Sequence, residues 1–394
     1  MKKQRTVLMA NPSADVYGAD LQLIESVAAL RDHGWRVVVA VPSPGPLVQR
    51  LTDVGAEVEL LPFPVLRRAD VSLRGVAALV GSTPTAMARM RRLVRRVDPA
   101  LIYVNTITLP WWLAVARRCG LPAVCHVHEA EARDHRLVRA ALATPLALAD
   151  ATIVNSSTTF EVTAEAAPYL RRRLHLVHNG VRGPAVAPVR RRPVGTFRLL
   201  VVGRLSPRKA PDVAIEATAL LRAAGRDVAL ELCGTPGPGH EAFFQQLRAR
   251  AECPDLSGAV TFTGYQSPIW PALKRADALV APSLGESFGN AVVEGQLARR
   301  PVVATAVQGH LETVEHGISG LLVPVRDPSA LAAAVARLMD QPRTAAELAF
   351  LGMRRAEARF GVRRYGEEIA SVVGELVKEP AFAPAVPGAR IRQT

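Results

Sequence analysis

Short continuous apolar runs recur along this chain, each followed by a stretch whose apolar residues repeat at helical spacing. Residues 6–10, 35–41, 101–104, 123–127 and 151–154 are aliphatic or β-branched almost throughout, as strands buried on both faces are. Between the first two, Leu21, Leu23, Ile24, Val27, Ala28 and Leu30 share a helical face over residues 20–31. Strands alternating with helices cannot pair as hairpins, so they predict a parallel, doubly wound sheet. The pattern stops at residues 183–195, a Pro- and Arg-rich run without periodicity, and restarts with strands at 197–202, 228–233, 260–263 and 278–281. Two such domains are therefore expected, 1–182 and 196–360, joined by a linker at 183–195. A helix over 361–379 and a disordered Pro- and Ala-rich tail over 380–394 complete the chain. Two helical runs are expected to break at prolines: 71–97 near Pro84 and 131–149 at Pro145.

Ligands of doubly wound sheets sit beyond the carboxyl ends of the strands. The residues there are Gly18, Asn105, His128 with Glu129, Ser156, and Asn179 with Gly180 in the first half. In the second half they are Gly203, Arg204 and Lys209, Tyr265 with Gln266, and the turn 282–295. That turn reads Pro-Ser-Leu-Gly-Glu-Ser-Phe-Gly-Asn-Ala-Val-Val-Glu-Gly. A strand runs into it and a helix out of it, which aims several backbone N–H groups and the positive end of a helix dipole at one spot. Such a spot suits a phosphate or pyrophosphate. Glu286 and Glu294 flank it; on an anion site they make sense as holders of hydroxyl groups on either side of the phosphates. An ordinary strand-to-helix turn with two solvated glutamates is the competing reading of the turn taken alone.

Composition narrows the partners. The net charge is +14, and only five of the 49 basic residues are lysines. A basic surface favours anions, yet aromatics make up only 5%, too few for a base-stacking surface, and no nucleic-acid signature is present. Residues 86–97 set Met87, Met90, Leu93, Val94 and Val97 against Arg89, Arg91, Arg92, Arg95 and Arg96. This helix either rests on an anionic membrane or packs on its own domain. Cys119, Cys125, Cys233 and Cys253 form no CxxC pair, which points to a reducing compartment and offers no metal framework. No apolar run is long enough to span a bilayer, and the apolar piece at 7–10 is too short for a signal peptide. A cytoplasmic protein, with contact to the inner membrane face as an option, is the expectation.

The assembled residues resemble retaining glycosyltransferases of family 4, which have the GT-B fold. The strongest element is Glu286-Ser-Phe-Gly-Asn-Ala-Val-Val-Glu294, like the family's E-x7-E. Gly203-Arg204 with Lys209 is similar to the family's basic pair, Gly18 to the glycine of its first loop, and His128-Glu129 to its post-strand histidine. Asn179-Gly180 resembles the pair that closes the family's first domain. The first loop departs from the pattern: Tyr17 precedes a single glycine.

The resemblance implies a nucleoside-diphosphate sugar as co-substrate, no cofactor and no metal, and transfer to a glycan, lipid-linked or small-molecule hydroxyl. By the same resemblance Arg204 and Lys209 neutralise the leaving diphosphate, and Glu286 holds donor-sugar hydroxyls. Backbone N–H groups around Ser287, Phe288, Gly289 and Asn290 hold the phosphates. Glu294 binds the ribose, His128 the sugar, and Tyr265 and Gln266 flank the base. Family analogy implies a front-face route with the departing phosphate as base. A nucleotide-sugar epimerase of the same fold, a sugar phosphorylase and a non-catalytic anion- or nucleic-acid-binding protein are the alternatives.

Overall fold

The computed structural model describes residues 4–66, 73–128, 136–186, 188–189, 195–237 and 239–377. The tail expected at 380–394, Glu129, and part of the linker lie outside the described residues.

The first domain opens with β1 (Thr6–Ala10), α1 (Gly18–Asp32), β2 (Arg36–Val41), α2 (Pro46–Asp53) and β3 (Glu57–Leu60). It continues with α3 (Leu73–Val97), β4 (Leu101–Val104), α4 (Pro110–Cys119), β5 (Ala123–Val127), α5 (Arg136–Ala143), β6 (Ala151–Val154), α6 (Ser157–Ala166) and β7 (Leu174–Leu176). The seven strands form one sheet in the order β3-β2-β1-β4-β5-β6-β7, and each pairing is parallel. Alternate residues of β1 enter two different cores. Leu8 and Ala10 pack with α3 and α4 residues such as Met90, Leu93 and Trp112, while Val7 and Met9 pack with Leu23, Val27 and Leu30 of α1. Both faces are covered, which is why the strands read as unbroken apolar runs.

The second domain holds β8 (Phe197–Val202), α7 (Pro211–Ala223), β9 (Val228–Cys233), α8 (Glu241–Ala251), β10 (Val260–Phe262), α9 (Trp270–Arg275) and β11 (Ala278–Ala281). Then come α10 (Asn290–Leu297), β12 (Val302–Thr305), α11 (Gln308–Thr313), β13 (Leu321–Val323), α12 (Pro328–Asp340), α13 (Pro342–Phe360) and α14 (Val362–Leu376). Its sheet is six-stranded, β10-β9-β8-β11-β12-β13, again parallel throughout. Sequence order reverses beside β8, between β9 and β11. The loops after β8 and β11 therefore diverge from a common crevice, the topological switch point where such sheets bind ligands.

One of the two expected proline breaks is absent. Helix α3 runs through Pro84 without a break; the proline removes one N–H locally, and Ala86, Met90, Leu93, Val94 and Val97, all buried, anchor the turns that follow. At Pro145 the expected break is present: α5 ends at Ala143 and the chain tightens into a 3₁₀ turn over Thr144–Leu148. The apolar face of residues 86–97 belongs to the domain core, so its arginines face solvent, and Arg96 is paired with Glu59. Among the described residues no helix is long and apolar enough to cross a membrane, and the four cysteines are free thiols.

The last helix returns to the first domain. Tyr365, Ile369, Val372 and Val373 of α14 are buried in the same core as α1. Tyr365 Oη lies 2.6 Å from Ser26 Oγ, and its ring leaves room only for a glycine at 180, where a Cβ would stand 2.6 Å from Tyr365 Cβ. Ahead of it, Phe360 packs edge-on against Phe288 with ring centroids 5.2 Å apart. The chain thus crosses from one domain to the other twice.

Candidate functional site

The crevice of the second sheet is built from three strand ends. After β8 the backbone turns at Gly203, whose φ is +143°. It passes so close to the β9 end that a Cβ on Gly234 would fall 1.8 Å from the Gly203 carbonyl oxygen. Ser206 then receives hydrogen bonds from the N–H groups of Lys209 and Ala210, and Pro211 starts α7. This tight loop projects Arg204, Arg208 and Lys209. After β11, the turn to α10 is made by Gly289 at φ +104°, a left-handed conformation that disfavours other residues. Phe288 is buried against Phe360, Val181 and Val293 and pins that turn from behind, so only its backbone faces the crevice. Of the first N–H groups of α10, those of Val292 and Val293 go to the Gly289 carbonyl, while those of Asn290 and Ala291 precede any carbonyl of their own helix.

A pocket at this point is lined by Gly203, Arg204, Lys209, Glu286, Gly289 and His310. Lys209 Nζ is ion-paired with Glu286 Oε2. Burial raises the Glu286 carboxyl, but Lys209, His310 and Arg208 outweigh it and hold the group below the usual carboxylate range. Arg208 donates to the Gly285 carbonyl at 2.8 Å and so braces the turn. Glu294, just over one turn into α10, is different. Burial pushes its carboxyl up to about 7, against the pull of Lys209. Lys209 therefore acts on both glutamates. Ser287 is half-buried.

The first domain closes over this crevice. Arg204 lies over the Tyr17 ring at 4.2 Å, and a Cβ on Gly18 would stand 3.8 Å from Asn290 Nδ2. Asn179 donates to Asn290 Oδ1 at 2.9 Å. Gly18, Tyr17 and Asn179 thus meet the start of α10 from the other domain. Tyr265 is 51% exposed, and its hydroxyl donates to the Val16 carbonyl at 3.0 Å, so in this arrangement it bridges the domains; Gln266 follows it, half-buried.

His128 stands just past β5 and is buried. Its Nε2 donates to Asn105 Oδ1 at 2.8 Å. Asn105 donates in turn to Asn11 Oδ1, Asn11 to Asp20, and Asp20 accepts from the Tyr17 N–H. A continuous chain of hydrogen bonds therefore runs from His128 to the residue beneath Arg204. Burial holds His128 neutral, with a pKa of about 3. The rings of His126 and His128 stand only 4.0 Å apart, on one side of the strand end; His126 hydrogen-bonds Tyr103 and is fully enclosed. Ser156 caps α6, accepting from Thr159 N, and has a purely structural partner there.

A short helix, α11, lies between β12 and β13. Helix α11 carries Gln308, which accepts from the Glu286 N–H at 3.1 Å, and His310, which lines the pocket. It also carries Glu312, which reaches the first domain: it accepts from Ser157 N at 3.0 Å, Ser157 Oγ at 3.1 Å and His178 Nε2 at 2.8 Å. The signal was the strand end at Thr305, the same rule that singled out the other loops.

Comparison with known proteins agrees with this geometry. The family model described as Glycosyltransferase Family 4 matches residues 16–182, and the one described as Glycosyl transferases group 1 matches residues 196–341. A D-inositol 3-phosphate glycosyltransferase of Thermobispora bispora is 29% identical over 84% of this chain and 88% of its own length. That of Salinispora arenicola is 37% identical over 52% of this chain and 47% of its own. Among solved structures, Anabaena HepE in complex with UDP and glucose superposes with a TM-score of 0.81 at 22% identity, covering 94% of this chain and 100% of that one. Sucrose-phosphate synthase from Thermosynechococcus elongatus gives 0.75 at 21% identity, covering 95% and 99%. With one family model on each domain and the two glutamates at opposite ends of the α10 turn, the chain belongs to glycosyltransferase family 4 and is a glycosyltransferase of GT-B fold.

Proposed function

We propose that the protein transfers a sugar from a nucleoside-diphosphate sugar, a UDP-sugar in the first instance, to an acceptor hydroxyl, without a metal and with retention at the anomeric carbon. The observation that carries this reading is the placement of Lys209 between Glu286 and Glu294 at the α10 N-terminus. A diphosphate seated on that N-terminus lies between two carboxylates, each of which suits hydroxyl groups. The Anabaena relative was solved with UDP and glucose, which supports the donor class.

In the proposed reaction the bond from the anomeric carbon to the diphosphate oxygen breaks first. Negative charge grows on the phosphate, where Lys209, Arg204 and the α10 N–H groups stabilise it without reorganising. The acceptor oxygen attacks from the face the phosphate is leaving, and its proton passes to the departing phosphate oxygen. Glu286, held ionised by Lys209, orients sugar hydroxyls and forms no bond to carbon, unlike the nucleophile of a retaining glycosidase. His128, neutral and fixed by Asn105, faces the sugar from the first domain. No cofactor takes part, and the acceptor is a glycan, a lipid-linked sugar or a small molecule. The relatives' name makes inositol phosphate the first acceptor to try.

The test is product analysis with UDP-glucose, UDP-galactose and UDP-N-acetylglucosamine, each with inositol phosphate, a glycan and a lipid acceptor. A new glycoside of retained configuration, formed equally in the presence of a chelator, is the expected result. Conversion of the nucleotide sugar without any acceptor would instead identify an epimerase, and an inverted product would sink the retaining route.

A further inference from the structure

One buried polar side chain opens into the proposed donor pocket and has no task in the reaction above. His310 sits in α11, 1% exposed. Its Nδ1 lies 3.0 Å from the Thr305 carbonyl oxygen. A carbonyl only accepts, so Nδ1 carries the proton and Nε2 presents a lone pair. Thr305 is itself anchored, its hydroxyl donating to the Ser283 carbonyl at 2.6 Å. The imidazole is therefore held in one tautomer and one orientation from both sides of the pocket floor.

The free edge of the ring lies over Gly289. A Cβ at that position would stand 3.0 Å from His310 Cδ2, 3.5 Å from Nε2 and 3.6 Å from Glu286 Cγ. His310 and Glu286 thus converge on one point of the pocket that also contains Lys209. Burial and Lys209 pull the imidazole down to about 4 despite the opposing pull of Glu286, so the ring is neutral at pH 7. A neutral Nε2 must accept a hydrogen bond. The phosphates of a nucleotide sugar offer no proton at that pH, and the Lys209 ammonium, bonded to Glu286, turns its remaining protons to those phosphates in the proposed reaction. Sugar hydroxyls do offer protons, one each. Two acceptors side by side, a carboxylate and an imidazole nitrogen, match two hydroxyls on adjoining carbons.

Resting on the nucleotide-sugar reading, we propose that His310 is a specificity residue for the donor: its Nε2 accepts the proton of the sugar hydroxyl next to the one held by Glu286. A donor lacking or inverting that hydroxyl leaves a buried acceptor without a partner, a loss that selects strongly against it.

Calorimetric titration tests this with UDP and with the tightest-binding of UDP-glucose, UDP-galactose and UDP-N-acetylglucosamine. For His310→Leu, UDP affinity is expected to stay within about twofold, while the extra affinity conferred by the sugar falls about tenfold. In the wild-type protein, which needs no variant to fold, that extra affinity is expected to be flat between about pH 5.5 and 8, because a neutral acceptor does not titrate there. Parallel loss of UDP and UDP-sugar in the variant, no loss of either, or a sugar increment that grows in acid would each overturn the assignment. Failure of the wild-type protein to bind UDP or any of the sugars is a separate outcome and counts against the donor reading itself.

Discussion

Lys209 and Glu286 are bonded to each other across the crevice of the second domain. The lysine comes from the loop after β8 and the glutamate from the turn after β11, 77 residues later. Neither charge is left exposed before a ligand arrives, and each is positioned by the other. A diphosphate can draw on Lys209 while Glu286 stays ionised, because Arg208 and the α10 N-terminus remain close to both.

Because the pair is mutual, its two halves separate in mutagenesis. Glu286→Gln is expected to reduce kcat by about a hundredfold or more, the scale of removing one stabilising contact at the reacting centre, and to leave UDP binding nearly unchanged. Lys209→Ala is expected to lower both, since it strips charge from the phosphate and leaves Glu286 buried without its partner. Mass spectrometry of the wild-type protein with donor alone should show no sugar attached; a covalent adduct at Glu286 would refute the assigned role.

Glu294 is expected to make the protein's stability and its nucleotide affinity depend on pH in opposite ways. Its folded pKa, about 7, lies above the ordinary value of 4.5. The folded protein therefore binds a proton that the unfolded chain has lost, and the stabilising contribution is full below pH 4.5 and disappears as pH rises through 7. Glu294→Gln should raise Tm relative to wild type at pH 8 and not at pH 5. Ribose hydroxyls prefer the ionised carboxylate, so UDP affinity of the wild type should fall as pH drops from 8 to 6. A UDP affinity that is level across that interval would show Glu294 to be remote from the ribose.

Gly289 has no acceptable substitute. An alanine there would adopt φ +104°, which costs an L-residue about 1–2 kcal/mol, and would press on His310 Cδ2 at 3.0 Å. Gly289→Ala should lower Tm by several degrees and abolish UDP binding, read by thermal unfolding with and without UDP. Gly317, also at positive φ but with open space around it, is the control: Gly317→Ala should lower Tm without touching UDP affinity.

Glu312 holds the two domains together by taking N–H and O–H groups of Ser157 and the ring of His178. These hydrogen bonds keep its carboxyl low in spite of burial, so its contribution is present above the ordinary carboxylate value and is lost as pH falls through the folded one. Glu312→Ala should increase the radius of gyration in small-angle scattering and raise KM for the donor more than it lowers kcat. An unchanged scattering profile would mean that the clamp does not limit opening.

Much of the site was legible because it follows local rules. Each strand end named from the sequence is a strand end in the structure, and Lys209, Glu286, Gly289 and Glu294 converge because β8 and β11 are neighbours in a parallel sheet. His310 and Glu312 were missed although they follow a strand in the same way. The six-residue α11 has too few turns to show a periodic apolar face.

The alternation of apolar runs and helical spacing determined the two parallel sheets, and the E-x7-E turn marked the strand-to-helix junction where the crevice of the second sheet opens, since both depend on residues close together in the chain. What tertiary structure alone decided is which distant groups share that site. The Lys209–Glu286 pair, Arg204 over Tyr17 and the return of α14 to Ser26 are set by packing of whole elements. Burial then tuned Glu294 upward and His128 and His310 downward. A carboxyl or an imidazole has no such value until the low-dielectric surroundings that shift it have been assembled.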